Sequence, residues 1–361
     1  KFTPNPQYSG SVKVTYSLIS AHAGSSEGVI TYKLVADTSK VVEDIDRMVR
    51  GFVGTRMSLL SSTIKVPGLM ERRQLAHSTS AVTTAFSPSA DGLTMGLSTS
   101  LIQVEAAEAD GRLANERPFN VWLDTTFLVH NREENGNKWG NFGMASVGAD
   151  YLVTPQFLVG ISAHFDRMTD PTDEDAEITG NGWMAGPYAS VELGRGVFWD
   201  TSLLIGGSSN DIDTLLWDGS FDTRRLMFDT SIKGKWDIGN GIVLTPAVRA
   251  VYFKEKVKDY EVTDGTNTIG IGGHTQEQLR VRAGVDIEKT FKLSNGKDLK
   301  ARAGITAGFS GMDGNGAFAQ AKAGVSYAFG DGLFLDGDLL YNYGSGGEQS
   351  AGAKVGLRFA W

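Results

Sequence analysis

From Pro118 to Trp361 the chain repeats one pattern about twelve times: a run of roughly ten residues alternating apolar and polar side chains, then a break. Strict alternation places the two classes on opposite faces of a strand. The runs lie near 119–130, 141–152, 157–167, 182–193, 197–207, 220–235, 242–255, 276–292, 298–309, 317–329, 333–343 and 350–361. The breaks alternate in length. Short ones are Thr154-Pro155-Gln156, Gly194-Arg195-Gly196, Gly239-Asn240-Gly241, Asn295-Gly296 and Gly330-Asp331-Gly332. Longer polar loops fall near 131–140, 168–181, 208–219, 256–275, 311–316 and 344–349.

Short turns on one rim and long loops on the other are the asymmetry of a transmembrane β-barrel; a soluble sandwich has no reason to alternate this way. The faces agree. Phe119, Val121, Leu123, Phe127 and Val129 oppose Asn120, Trp122, Asp124 and Thr126. Leu279, Val281, Ala283, Val285 and Ile287 oppose Arg280, Arg282, Asp286 and Glu288. Leu299, Ala301, Ala303, Ile305 and Phe309 oppose Lys300, Arg302 and Thr306, and Leu335, Leu339, Tyr341 and Tyr343 oppose Asp336 and Asp338. The seventh run is ambiguous, because Arg249, Val251 and Phe253 share parity. Phe119, Trp183, Trp199, Tyr343, Phe359 and Trp361 sit near strand ends, where interfacial girdles belong. An even strand count closes the sheet and leaves no unpaired edge in lipid. The expected fold is an all-β membrane protein: an antiparallel up-and-down transmembrane barrel of about 12 strands over 118–361, with a helix in its lumen and a short β-rich N-terminal segment.

Bulk composition is compatible with this. No stretch approaches the ~18 apolar residues of a spanning helix, and the mean hydropathy of −0.16 would suit a soluble protein. A barrel escapes that test because only alternate residues meet lipid. The net charge of −8 and pI of about 5.2 argue against nucleic acid. There is no cysteine, which suits a chain that threads a pore. No signal peptide stands at Lys1, so the chain is expected to be a processed or truncated piece, or one whose signal was left off.

Upstream of the barrel the period changes twice. In residues 1–37, Val12, Val14, Tyr16 and Leu18 alternate with polar neighbours, as do Ile30, Tyr32 and Leu34, around a Gly24–Gly28 turn. This is a β-hairpin too short to bury a core alone. Over 38–66, Val42, Ile45, Val49 and Phe52 recur at three and four. That spacing predicts a helix over about 39–62, capped by Asp37, Thr38 or Ser39 and ended by Pro67. About 20 such residues span about 30 Å, a bilayer core. Residues 67–117 are rich in Ser, Thr, Ala and Glu and are expected to be a linker, with a short helix near Glu105–Leu113.

The order of β-rich segment, helix, linker, strands and terminal aromatic resembles the translocator end of an autotransporter (type V secretion). The likeness rests on Phe119-Asn120-Val121-Trp122-Leu123-Asp124 at the barrel's start, the Gly-rich turns, and Val355-Gly356-Leu357-Arg358-Phe359-Ala360-Trp361 at its end. The closing strand, with Leu357, Phe359 and Trp361, is similar to the C-terminal assembly signal of bacterial outer-membrane barrels. The hairpin resembles the end of an immunoglobulin-like passenger repeat. The resemblance implies a non-enzymatic monomeric barrel in the bacterial outer membrane, without cofactor, that exports and anchors a surface passenger, its partners being lipid, lipopolysaccharide, the barrel-assembly machinery and the passenger upstream. It also implies that the helix fills the lumen, although about 50 residues separate it here from the first strand, which leaves Leu101–Leu113 as the second candidate. Charge sign and parity suggest that Arg47, Arg50 and Arg56 pair with Asp124, Asp286, Asp336 or Asp338, and that Glu43 and Asp44 meet Arg280, Arg282, Lys300 or Arg302. Self-cleaving members of that family use an Asn or acidic residue at the helix–barrel junction; no Asn lies between residues 39 and 114, so no cleavage site is expected there.

Two other functions are weighed. A diffusion porin needs neither a lumen helix nor a surface hairpin. A surface hydrolase is suggested by Ser162, His164 and Asp166 on one strand face. At about 7 Å per step they form a row, whereas a catalytic triad needs converging side chains. The acidic loop Asp170, Asp173, Glu174, Asp175 and Glu177 lacks calcium-loop spacing and is expected to be a solvated surface loop.

Overall fold

The computed structural model describes residues 3, 8, 10–20, 24–34, 37–89, 92–109, 117–131, 138–172, 176–330, 333–345 and 349–359. A free-standing antiparallel hairpin, β1 (Gly10–Ser20) and β2 (Gly24–Leu34), comes first. Helix α1 (Thr38–Thr63) and the short helix α2 (Leu69–Leu75) follow. The remaining strands form one closed barrel.

All twelve sequence runs are strands. They are β5 (Phe119–Asn131), β6 (Trp139–Thr154), β7 (Phe157–Pro171), β8 (Glu177–Gly194), β9 (Val197–Asp213), β10 (Asp218–Gly234), β12 (Ile242–Val257), β15 (Thr275–Lys292), β16 (Asp298–Met312), β17 (Gly316–Gly330), β18 (Leu333–Gly344) and β19 (Gln349–Phe359). β11 (Trp236–Asp237) belongs to a short turn, and β13 (Tyr260–Thr263) and β14 (Thr268–Ile271) make a hairpin inside the long loop after β12. The wall also contains β3 (Val82–Ser89) and β4 (Gly92–Ser100), paired from Val82↔Thr99 to Ser89↔Gly92. β4 pairs with β5, and β3 closes on β19. Residues 67–117 are therefore no plain linker: besides α2 they hold two barrel strands and helix α3 (Leu101–Glu108), and the described wall has two strands beyond the expected twelve. Leu93, Met95 and Leu97 do alternate with Thr94, Gly96 and Ser98, but the run is short and its Ser/Thr content masks the period.

The aliphatic stripes face outward. Phe119, Val121, Leu123, Phe127, Leu279, Val281, Ile287, Ile305, Phe309 and Leu339 are all exposed, as a lipid-facing surface requires. On β9, β10 and β12, toward the long loops, the outward residues turn polar: Asp211, Asp213, Asp222, Arg224 and Lys256 are exposed there. The wall of β8–β10 and β12–β14 thus stands above the apolar band. At the opposite rim Gly194-Arg195-Gly196 and Gly239-Asn240-Gly241 close tight turns with left-handed backbone, φ 54° at Arg195 and 57° at Asn240.

Candidate functional site: the occupied lumen

α1 lies inside the barrel. Asp37 caps it, accepting from the amides of Ser39 (3.1 Å) and Lys40 (3.4 Å). Its 26 residues extend about 39 Å, from the long-loop rim toward the short-turn rim. The buried stripe Val41, Ile45, Val49, Phe52, Val53, Met57 and Leu60 recurs at three and four and faces one side of the wall. That side is itself apolar. Ile178, Met184, Ile212, Phe221, Val251, Phe253 and Val262 point inward and form one core with the helix, and Phe52 meets Phe221 edge to face at 6.3 Å. This explains the seventh run: Val251 and Phe253 face a helix, not water, and Arg249 on the same face binds Asp229.

One cation penetrates this core. Arg56, fully buried, donates through Nε to Asp166 Oδ2 (2.5 Å) and through Nη1 to Asn210 Oδ1 (2.7 Å). Arg225 donates to Asp166 Oδ1 (2.8 Å) and to Glu255 Oε1 (2.9 Å), which also accepts from Thr223 (2.6 Å). Two guanidiniums and two carboxylates from one helix and three strands thus form a neutral network. Desolvating four charges is tolerable only when each is paired and hydrogen-bonded in this way. Gly180 and Gly182 make the room. A Cβ on Gly182 would sit 2.6 Å from Asp166 Oδ1 and 2.9 Å from Arg56 Nη2, and one on Gly180 would run into Arg56 and Asn210.

Polar contacts continue along the helix. Gln276 donates to the carbonyl of Arg50 (3.0 Å), Gln278 to Ser58 (3.0 Å), and Arg249 to the carbonyl of Ile64 (2.9 Å). At the short-turn rim α2 is pinned by charge: Arg72 binds Asp150, Arg73 binds Glu192 (2.7 Å), and Lys233 bridges Glu71 and Asp200. Trp122 donates to Tyr188 (2.8 Å), which donates to Asp150 (3.1 Å). α3 caps its own start with Ser100 and packs beside α2 and β5, so Leu101–Glu108 sits at the β4–β5 junction while α1 occupies the lumen.

The structure sorts the sequence candidates by height, which parity alone does not supply. Arg47 pairs with Asp44 (2.8 Å) and Arg50 with Asp46 (2.7 Å), both within the exposed face of α1. Among the described residues neither meets a wall carboxylate. Arg56 does, but its acid is Asp166, not Asp124, Asp286 or Asp338. Those acids belong to the lower lumen. Lys322 binds Asp286 (2.9 Å), Arg302 binds Asp338 (3.1 Å) and Lys300 approaches Glu288 (3.7 Å), whereas Arg280 stacks over Phe318 (4.2 Å) nearer the long loops. Asp124 and Arg282 line a cavity of about 500 Å³ with Lys65, Arg249 and Lys322. The side chains of Asp336, Leu357 and Phe359, and all of Trp361, lie outside the described residues, as do Asp173, Glu174 and Asp175 of the acidic loop. Arg225 and Glu255 are the partners that sequence reasoning missed; both share inward parity with Met227 and Phe253, the signal that could have found them.

The Ser162–His164–Asp166 row does not converge. His164 contacts Ser146 (2.8 Å) and Ser162 (3.0 Å), while Asp166 is held by two arginines.

Three comparisons bear on this architecture. A family model described as the autotransporter beta-domain matches residues 129–338, more than half of the chain. Among solved structures, the beta domain of the Bordetella autotransporter BrkA is similar at 16% identity and TM-score 0.48, covering 68% of this chain and 100% of its own. The translocator domain of NalP from Neisseria meningitidis gives 17%, 0.47, 70% and 92%, and the transport unit of AIDA-I from Escherichia coli 13%, 0.41, 86% and 98%. No curated protein matches. The extent of the family match decides the assignment: this chain belongs to the autotransporter β-domain family and is an outer-membrane translocator.

Proposed function

We propose that the barrel exports a passenger through its lumen and then holds it at the cell surface by retaining α1 as the tether. The observation that carries this reading is the docking of α1: an apolar stripe sealed against an apolar wall, with Arg56 locked to Asp166 and Asn210. A helix so embedded supports both anchorage and closure of the pore once export ends. The β1–β2 hairpin precedes α1, so it stands on the passenger side. Val14, Tyr16, Ile30 and Tyr32 are exposed on it, as expected of a piece that packs on further passenger modules. The passenger is an adhesin in this reading, the barrel works as a monomer, and the barrel-assembly machinery inserts it by its closing strand.

An epitope placed in the β1–β2 turn tests the orientation. Antibody should label intact cells; labelling only after the outer membrane is permeabilised would refute it. Beads coated with host or bacterial surface material should bind cells carrying the full protein and not cells carrying the barrel alone. The cavity near Lys65 favours a second reading, a small residual channel. The dry packing above it limits that channel, so conductance of the intact barrel should be low.

A further inference from the structure

The inner face of this barrel is committed to its helix, but one feature of the outer face has no partner among the described residues. Arg224 on β10 and Lys256 on β12 are directly opposite in the register, and both point outward and are exposed. Side chains directly opposite across a strand pair have Cβ atoms about 5 Å apart, and like charges there repel. The neighbouring acids are already engaged. Asp222 accepts from Lys258 (3.1 Å) and Glu277 pairs with Lys254 (2.6 Å). In the next position of the same row is Gly207, which brings no side chain, and beyond it the exposed Trp183.

The height of the pair identifies its ligand. One step toward the membrane the outward residues are Leu226 on β10 and Ile205 on β9, with the ion-paired Lys254 and Glu277 beside them on β12 and β15; one step further they are Phe228, Leu203, Tyr252 and Leu279, of which Phe228, Leu203 and Leu279 are exposed. One step away they are Asp222, Ser209 and Lys258. Arg224 therefore stands at the upper limit of the apolar band of β9 and β10, and Lys256 beside it above the Lys254–Glu277 pair, in the same strand-to-strand row as the exposed Trp183. Headgroup phosphates occupy that level. Arg offers a fork that matches phosphate oxygens and Lys a point charge.

We infer that Arg224 and Lys256 form a binding site for a phosphate group of an outer-leaflet glycolipid, with the acyl chains of that lipid lying on Leu226, Phe228 and Ile205. The ligand relieves the cation–cation repulsion and ties the β10–β12 wall, which carries Arg225 and Glu255 on its inner face, to the membrane surface. This rests on the proposed orientation, with long loops outside.

The test is retention of lipopolysaccharide by the whole chain purified from outer membranes in detergent, read by native mass spectrometry. The Arg224→Gln/Lys256→Gln variant should retain at least tenfold less, while Lys289→Gln/Lys292→Gln, the same charge change at the other rim, retains a normal amount. Heat-modifiable mobility on gels confirms that both fold, and Arg224→Lys should keep partial retention. Rough lipopolysaccharide should rebind and its dephosphorylated form should not. Equal retention by the double variant would overturn the inference, as would equal rebinding of the dephosphorylated glycolipid, or displacement by millimolar inorganic phosphate, which would mark a plain anion site. Labelling of Lys258→Cys by an impermeant maleimide on intact cells separates the two failures: without it the orientation is wrong, and with it only the lipid site is in question.

Discussion

The two ends of the lumen differ in how much water they admit. Toward the long loops, α1 and the wall form a dry core in which Phe52, Met57, Phe221 and Phe253 surround a four-charge network with almost no solvent access. Toward the short turns one buried pair, Arg72–Asp150, holds α2 on one side, while on the other charges pair around a cavity that admits water, where Lys322 and Asp286 are about half exposed (46% and 48%). The same residue types therefore carry different weight. A pair in water contributes about 0–1 kcal/mol, whereas breaking a buried pair costs about 3–5 kcal/mol because it strands the other charge. Anchorage of the helix belongs to the upper end; the lower end positions α2 and leaves a hydrated space.

The comparison breaks most readily at Arg56. Arg56→Ala should cost about 3–5 kcal/mol and release the helix, seen as a lower thermal unfolding temperature and a higher conductance in planar bilayers. Phe52→Ala empties the apolar contact with Phe221 and should cost about 3 kcal/mol, with a smaller rise in conductance. Gly182→Ala tests the space rather than the charge. It should lower stability by about 1–3 kcal/mol through displacement of Asp166, and the double change with Arg56→Ala should be less than additive. In the lower lumen Lys322→Ala should change stability by at most about 1 kcal/mol, and Arg47→Ala with Arg50→Ala by a few tenths, with conductance unmoved. Equal effects at Lys322 and Arg56 would erase the distinction between the two ends.

A pH dependence sharpens it further. His274, in the loop before β15, is outside the membrane-spanning segments. Neither ring nitrogen has a hydrogen-bond partner, although Asp46 lies 3.5 Å from Nδ1. Burial, then the charge of Arg50, push its pKa down; Asp46, Asp313 and Glu255 act the other way and do not prevail. The docked state thus resists a proton that the released state accepts near the ordinary value of about 6.5. Docking of the upper helix should be fully stable above that pH and weaken as pH falls below it. Hydrogen exchange of residues 41–50, corrected for intrinsic rates, reads this, and His274→Gln should flatten the profile.

Much of the fold was legible because period-two alternation and turn residues are local properties. The twelve runs from Pro118 needed only the order of side chains, and α1 only its spacing of three and four. β3 and β4 escaped because eight or nine residues rich in Ser and Thr carry little contrast, and an even strand count cannot distinguish a barrel from one with another hairpin. The site was less legible. Parity says that Asp124, Asp286 and Asp338 face inward but not at what height, so Arg56 was matched to acids of the wrong level. The rule of a polar lumen also hid the apolar wall. Val251 and Phe253 are inward because a helix covers them, and only the helix and wall together reveal that.

The claim on which the rest depends is that α1 lies against β15 inside the barrel. The chain has no cysteine, so Gly54→Cys with Gln276→Cys provides a clean pair; a Cβ at Gly54 is 3.7 Å from the Gln276 side chain. In isolated outer membranes a short bismaleimide should join the two and change the mobility of the denatured chain. Failure to join them, with each single cysteine still reactive, would mean that the helix is not in the lumen.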